Sequence, residues 1–199
     1  MDHASAMSLA RNMVATMAGF VERVEIAGSL RRGKADVKDI ELLVIVKRGE
    51  PEGLFEDLPG RNLLYDWALQ AKKDGKMRWI KPGTNYVEDW ALDPDGKYWR
   101  GLHVRTNIKV DVFLVTPETW FPQLVIRTGC AKFSEHLMIV AERAGFLFYG
   151  GRVFSKLDST HKPVINSEQE LFELLGILWL EPEQRTEDAL PRQFPFLRL

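Results

Sequence analysis

The chain has 199 residues with 27 Lys or Arg against 28 Asp or Glu, and a net charge of -1 excludes a globally basic nucleic-acid binder. A hydrophobic share of 45% supplies an ordinary core, and the length suits one large or two small domains. A single cysteine, Cys130, excludes an internal disulfide framework and fits a reducing compartment. The start "MDHASAMSLARNMV" is acidic and lacks a long apolar run, so no secretory signal is read there. No stretch reaches the length of a membrane span. The expectation is a soluble cytoplasmic protein that makes no membrane contact.

In chain order, Ser5 to Arg23 has helical spacing, with Leu9, Met13, Met17 and Phe20 on one face. A strand over Val24–Ala27 follows, then a Gly28-Ser29 turn and a β-branched strand over Ile40–Val46. "KRGEPEGLFEDLPGR" reads as a loop, and "NLLYDWALQAKKDG" as a helix stopped by Gly75. Met77 to Val104 reads as short strands and turns. "NIKVDVFLVTP" alternates, placing Lys109, Asp111 and Phe113 on one face and Ile108, Val110, Val112 and Leu114 on the other. "PETWFPQLVIRTG" is a short helix into a turn, "AKFSEHLMIVAERAG" an amphipathic helix, and "FLFYGGRVF" a hairpin with a Gly-Gly turn. "SEQELFELLG" has the Ser167/Glu170 spacing of a capping box and a Gly stop. The tail from Leu180 reads as irregular. A break between Thr128 and Ala131 separates a strand-rich first part from a second with two helices around a hairpin.

Asp39 and Glu41 are two apart, so on a strand they share a face. Two neighbouring anions repel each other, and the arrangement persists easily when a cation joins them. Oxygen donors suit a hard ion such as Mg2+. If the strand holding Asp111 pairs beside the first, three carboxylates converge, enough for two metals about 4 Å apart. The alternative is an edge strand with one face in water, and Asp111 alone reads equally as a solvated residue. Gly28 permits close approach of a backbone to phosphate, and Ser29 offers a hydroxyl and a cap for a short helix. Arg31 and Arg32 supply donors suited to phosphate oxygens. A phosphate cradle before a metal-binding strand is the layout that phosphoryl or nucleotidyl transfer needs.

"GSLRRG", then "DIE", then "VDV" resemble the signature of the nucleotidyltransferase superfamily, and Arg-Arg-Gly after Gly-Ser resembles family X, the DNA polymerase beta-like enzymes. "RTGCAKFSEHLMIVAERAG" and "SEQELFELLGILWLEPEQR" are similar to that family's Thr-Gly turn with its helix and to the closing motif of its thumb. The resemblance runs from Val24 to Arg185. It implies an α+β fold: a nucleotidyltransferase palm, a mixed sheet flanked by helices, over residues 1–127, then a small α/β thumb and tail over 128–199.

By position, the resemblance implies that Asp39, Glu41 and Asp111 are catalytic and bind two Mg2+, with Mn2+ as a possible substitute. It places Gly28, Ser29 and Arg32 on the triphosphate, Lys38 beside them, and Thr128 and Gly129 under the sugar. Arg31, Lys109, Arg127 and Ser134 would serve nucleic acid or support the site. The implied activity is gap-filling or repair synthesis from a nucleoside triphosphate on DNA. The alternatives are a non-templated nucleotidyltransferase acting on RNA, protein or a small molecule, and an inactive nucleic-acid-binding module. Glu41 stands where the polymerases carry Asp, and Lys38 where polymerase beta carries Gly. Ile126-Arg127 replaces the aromatic pair that screens out ribonucleotides, Cys130 replaces Ser, and Ser134 replaces the Asn that contacts the base edge. With 27 residues before Gly28, a minimal palm-plus-thumb form is expected, and a protein partner is one possible source of the DNA grip.

Lys72 to Lys109 holds nine Lys or Arg against five Asp or Glu, with Trp79, Tyr86, Trp90, Tyr98 and Trp99 between them. This reads either as a nucleic-acid surface or as a solvated face over a Trp-rich core. His3, His103, His136 and His161 have no metal spacing. The tail "RQFPFLRL" resembles sliding-clamp peptides, with packing on its own domain as the alternative reading.

Overall fold

The computed structural model describes residues 1–50, 60–81, 84, 91–158, 160 and 162–198. Residues 51–59 of the loop expected over 47–61, the turns expected around 82–83 and 85–90, and Tyr86, Trp90 and His161 lie outside the described residues. In chain order the elements are α1 (His3–Met17), β1 (Val21–Ile26), α2 (Gly28–Arg31), β2 (Asp39–Val46), α3 (Leu63–Lys73), β3 (Met77–Ile80), β4 (Tyr98–His103) and β5 (Ile108–Leu114). Then come α4 (Trp120–Thr128), α5 (Ala131–Arg143), β6 (Phe146–Tyr149), β7 (Arg152–Ser155), α6 (Glu168–Leu174) and α7 (Ala189–Gln193). The fold is α+β. The described chain divides into two compact units, Met1–Ile26 with Ala35–Val115, and Ala27–Lys34 with Thr116–Leu199. The division at 127/128 drawn from the sequence falls in the last turn of α4.

The first unit is built on a five-stranded mixed sheet in the order β1-β2-β5-β4-β3. Only the β2–β5 pair is parallel; the other neighbours are antiparallel. β2 has a partner on each side, so it is not an edge strand. Its Ile40, Leu42, Leu43 and Val44 are fully buried, as expected where strands are covered on both faces. Asp2 caps α1, its side chain accepting the Ser5 amide at 2.9 Å.

Two boundaries differ from the sequence reading. α1 stops at Met17 and β1 begins at Val21, because Val21 pairs with Val46. The buried face of α1 is Ala6, Ala10, Met13 and Met17, so the small alanines take the place expected of Leu9 and Phe20. Trp79 and Trp99 are core residues, each 1% exposed, in edge contact with one another, with Trp67 against Trp79 and Tyr65 against Trp99. For those two rings the core reading holds.

Gly101 lies opposite Trp79 in the β3–β4 ladder. A methyl group there would meet Met77 Cε at 2.6 Å and the Trp79 ring at 2.9 Å. Gly101→Ala is therefore expected to lose about 1–3 kcal/mol of stability through overpacking, read as a lower urea midpoint.

The second unit packs α4, α5 and α6 around Val125, Phe133, Leu137, Val140, Leu171 and Phe172. β6 and β7 form a hairpin whose Gly150 and Gly151 adopt φ 58° and 86°, the two left-handed positions of a type I′ turn. Ser167 caps α6 by accepting the Glu170 amide at 3.0 Å. Glu170 returns to the Asn166 amide at 2.7 Å, one residue earlier than a capping box places it. The tail is more regular than expected: it forms α7, then packs Phe194, Phe196 and Leu197 on this unit's core. Phe196 also lies 3.9 Å from the Arg143 guanidinium. The tail thus takes the packing alternative.

Candidate functional site

Two groups of candidate residues stand out, one in each unit. In the first unit, β2 and β5 run parallel with Asp39 opposite Lys109 and Glu41 opposite Asp111. Register partners point to the same side of a sheet, so all four side chains share one face. Antiparallel β4 adds Arg100 opposite Asp111 and Tyr98 opposite Phe113 on that face. Asp39 and Glu41 are partly exposed, Lys109 and Lys38 exposed, and Asp111 is 4% exposed.

Asp111 is held tightly. Arg100 donates from Nε to Oδ1 at 2.7 Å and from Nη2 to Oδ2 at 2.8 Å. Tyr98 donates its hydroxyl to Oδ1 at 2.8 Å and stacks on Phe113 at 5.1 Å. The hydrogen bond to Asp111 raises the Arg100 pKa above its ordinary value, with Asp39 also contributing. Burial and then the bond to Asp111 raise that of the Tyr98 phenol. Sequence reading did not single out Arg100 or Tyr98. Their signal was the i, i+2 spacing in "YWRGLH", which marks a shared face but not the register.

Three carboxylates stand on one face, two of them opposite each other, and oxygen donors are the type a hard divalent cation takes. Among the described residues, no three His, Cys, Asp or Glu side chains are gathered as a metal-holding group. The three carboxylates therefore share a face without the close convergence expected from sequence, and the Asp111 oxygens are turned to Arg100 and Tyr98.

In the second unit, Gly28 adopts φ 65° at the start of α2. The N-cap of α2 is Ala27, with no side-chain bond, so Ser29 does not cap it as expected; its Oγ is buried without a partner. Arg31 is a packing cation. It donates to Thr128 Oγ1 at 2.7 Å and to both oxygens of Glu168, at 2.9 and 2.7 Å. Arg185, fully buried, donates at 2.5 Å to Glu168 Oε1, the oxygen that also accepts from Arg31 Nη1, and lies about 5 Å from the Phe172 and Trp179 rings, in cation–π range. Arg32 donates to the Thr128 carbonyl.

Glu168 thus bridges two guanidiniums. Burial raises its pKa, but the bonds from Arg31 and Arg185 outweigh that and hold it below the usual carboxylate range. Sequence reading singled out Ser167 and Glu170 in this helix start and passed over Glu168.

Thr128 is fully buried, its hydroxyl and carbonyl both taken by arginines. A Cβ at Gly129 would collide with the Phe133 ring, so packing requires glycine there. Ser134 spends its hydroxyl proton on the Ile126 carbonyl at 2.9 Å. Arg127 is partly exposed in the last turn of α4.

Among the described residues, no helix is long and apolar enough to cross a membrane. No curated protein matches the chain. Residues 123–186, from within α4 to just past Arg185, match the family model described as the DNA polymerase beta thumb, and this relates the chain to the family X polymerases.

Proposed function

We propose that this chain transfers a nucleotidyl group from a (deoxy)nucleoside triphosphate to a 3′-hydroxyl, as a family X DNA polymerase of gap filling or repair. The observation that carries the reading is the sheet face on which Asp39 and Glu41 stand with Asp111. The thumb match over 123–186 supports the polymerase class.

In this reading Asp39, Glu41 and Asp111 would hold two Mg2+. When bound, such ions acidify the attacking hydroxyl and neutralise charge on the departing pyrophosphate. A bond forms from the 3′-oxygen to the α-phosphorus as the bond to the β-phosphate breaks. Gly28, Ser29, Arg32 and Lys38 are assigned to the triphosphate by the family resemblance. Thr128 acts through the two arginines it holds. Lys109, exposed on the carboxylate face, is assigned to acceptor-strand phosphate, a contact that would make binding salt-dependent.

A second reading is a transferase without a template, acting on RNA, protein or a small molecule. It is favoured by Ile126-Arg127 in place of an aromatic pair and by the Ser134 hydroxyl, committed to backbone.

Incorporation assays on a single-nucleotide gapped duplex, an open template-primer and a single strand, each with dNTPs or NTPs, separate the two. Complementary incorporation on the gapped duplex is expected. Addition independent of the templating base would move the assignment to the second reading.

A further inference from the structure

α1, α3 and the β4–β5 turn bound a cavity of about 640 Å3, within the range of sites that enclose one small ligand. Every residue lining it belongs to the first unit. Met77 and His103 line it and are register partners, and His103 is three residues from Arg100, so both point to the side of the sheet away from Asp111. The body of the cavity is apolar: Leu9 and Met13 come from α1, Trp67 and Ala71 from α3, with Phe20 and Met77 beside them. The polar atoms there are spent on each other. Trp67 Nε1 donates to Thr16 Oγ1 at 3.1 Å, and Thr16 donates to the Met13 carbonyl at 2.8 Å. Water in such a trough finds few partners, so an apolar chain displaces it favourably.

Charge at the rim is not balanced. Asp74 is committed: Lys76 Nζ donates to it at 2.8 Å and Gln70 Nε2 at 2.6 Å. Arg105 is exposed, and among the described residues its side chain has no ion pair or hydrogen bond. It stands in a built turn. Asn107, at φ 54°, donates its amide to the His103 carbonyl at 2.9 Å, and the Val104 amide donates to the Lys76 carbonyl at 2.9 Å. His103 Nδ1 meets Thr106 Oγ1 at 2.7 Å, which leaves Nε2 for another partner. Burial, then the charge of Arg105, lower the His103 pKa, so the ring is neutral at neutral pH. One free guanidinium over an apolar trough matches one negative charge on an apolar body, and its fork suits the edge of a carboxylate.

We propose that this cavity binds a small apolar carboxylate, with its acyl or aryl chain on Met13, Trp67 and Met77 and its carboxylate on Arg105 beside His103. The two methionine side chains are flexible and adapt to such a body. One free cation is too little for the acidic face of a partner helix, which favours a small ligand. The site is separate from the carboxylate face and independent of the transfer activity proposed above.

The test is titration of the full chain with decanoate, followed by the methyl resonances of Met13 and Met77, with decyltrimethylammonium as the cationic counterpart. Saturable shifts are expected with decanoate, and none with the ammonium at equal concentrations. Arg105→Gln should weaken decanoate binding about tenfold or more, as for a lost charge-assisted hydrogen bond, and leave thermal unfolding unchanged because Arg105 is exposed. Ala71→Leu, which fills the cavity, should abolish the shifts. Asn12→Trp, at an exposed lining position, should do the same and covers the case in which Ala71→Leu does not fold.

No saturable shift with decanoate would overturn the proposal, as would binding that is indifferent to Arg105→Gln and equal for the ammonium. Decanoate binding that survives both Ala71→Leu and Asn12→Trp would lie elsewhere and overturn the site. A dimer by light scattering that Asn12→Trp dissociates would make a second copy of the chain the occupant, and the carboxylate assignment would fall.

Discussion

Glu168→Ala is expected to cost the protein about 3–5 kcal/mol of unfolding free energy, the typical loss when one partner of a buried ion cluster is removed. Glu168 is 7% exposed and Arg185 is fully buried. Without the carboxylate, Arg31 and Arg185 would face each other with no anion between them. The rings of Phe172 and Trp179 cannot replace it, since a cation–π contact is worth about 0.5–2 kcal/mol.

Glu168→Gln keeps the shape and one acceptor oxygen, and should lose less. Urea unfolding reads both. The sign of the pH dependence follows from the depressed carboxyl. Its contribution is fully present above the unfolded carboxylate pKa, about 4.3, and is lost as pH falls through the lower folded value. A difference between wild type and Glu168→Gln that persisted undiminished at pH 2 would contradict the cluster's role.

Asp111→Asn is the second large effect, and it falls on rate. A catalytic cation supplies several kcal/mol of transition-state stabilisation. At 1.36 kcal/mol per tenfold, losing its ligand should slow nucleotidyl transfer by about a thousandfold or more. Stability should also fall, by about 1–3 kcal/mol, because Asp111 is buried and the Asn amide sets an N–H against a donor where a carboxylate oxygen accepted. The two effects together distinguish a chemical role for Asp111 from a structural one. A large loss of stability with activity retained in the folded fraction would reverse the assignment.

The carboxylate face was legible in sequence wherever the information was local. The i, i+2 spacing of Asp39 and Glu41 and the alternation of Lys109 and Asp111 fixed which side chains share a side. Their pairing was a conditional statement, since a parallel register between β2 and β5 is made by residues 70 apart, Asp39 with Lys109 and Glu41 with Asp111. Arg100 escaped for the same reason. Its strand follows residues without a clear period, and only the β4–β5 register brings it to Asp111.

Glu168 was not singled out because nothing local marks it at a helix start, while its partners are 137 and 17 residues away. The contacts of the basic pair were hidden in the same way: Arg31 after Gly-Ser suggests phosphate, but its bonds to Glu168 and Thr128, and that of Arg32 to the Thr128 carbonyl, join residues about a hundred positions apart or more. The alanine face of α1 was missed because apolar periodicity weighs large side chains, whereas close packing also uses small ones.

The most direct test of the central claim is a single-turnover measurement of complementary dNTP incorporation into a gapped duplex with Mg2+, wild type beside folded Asp111→Asn. The account predicts cation-dependent incorporation by wild type and loss of about a thousandfold or more in the variant. Equal rates for the two proteins, or incorporation undiminished by chelation of the cation, would contradict it.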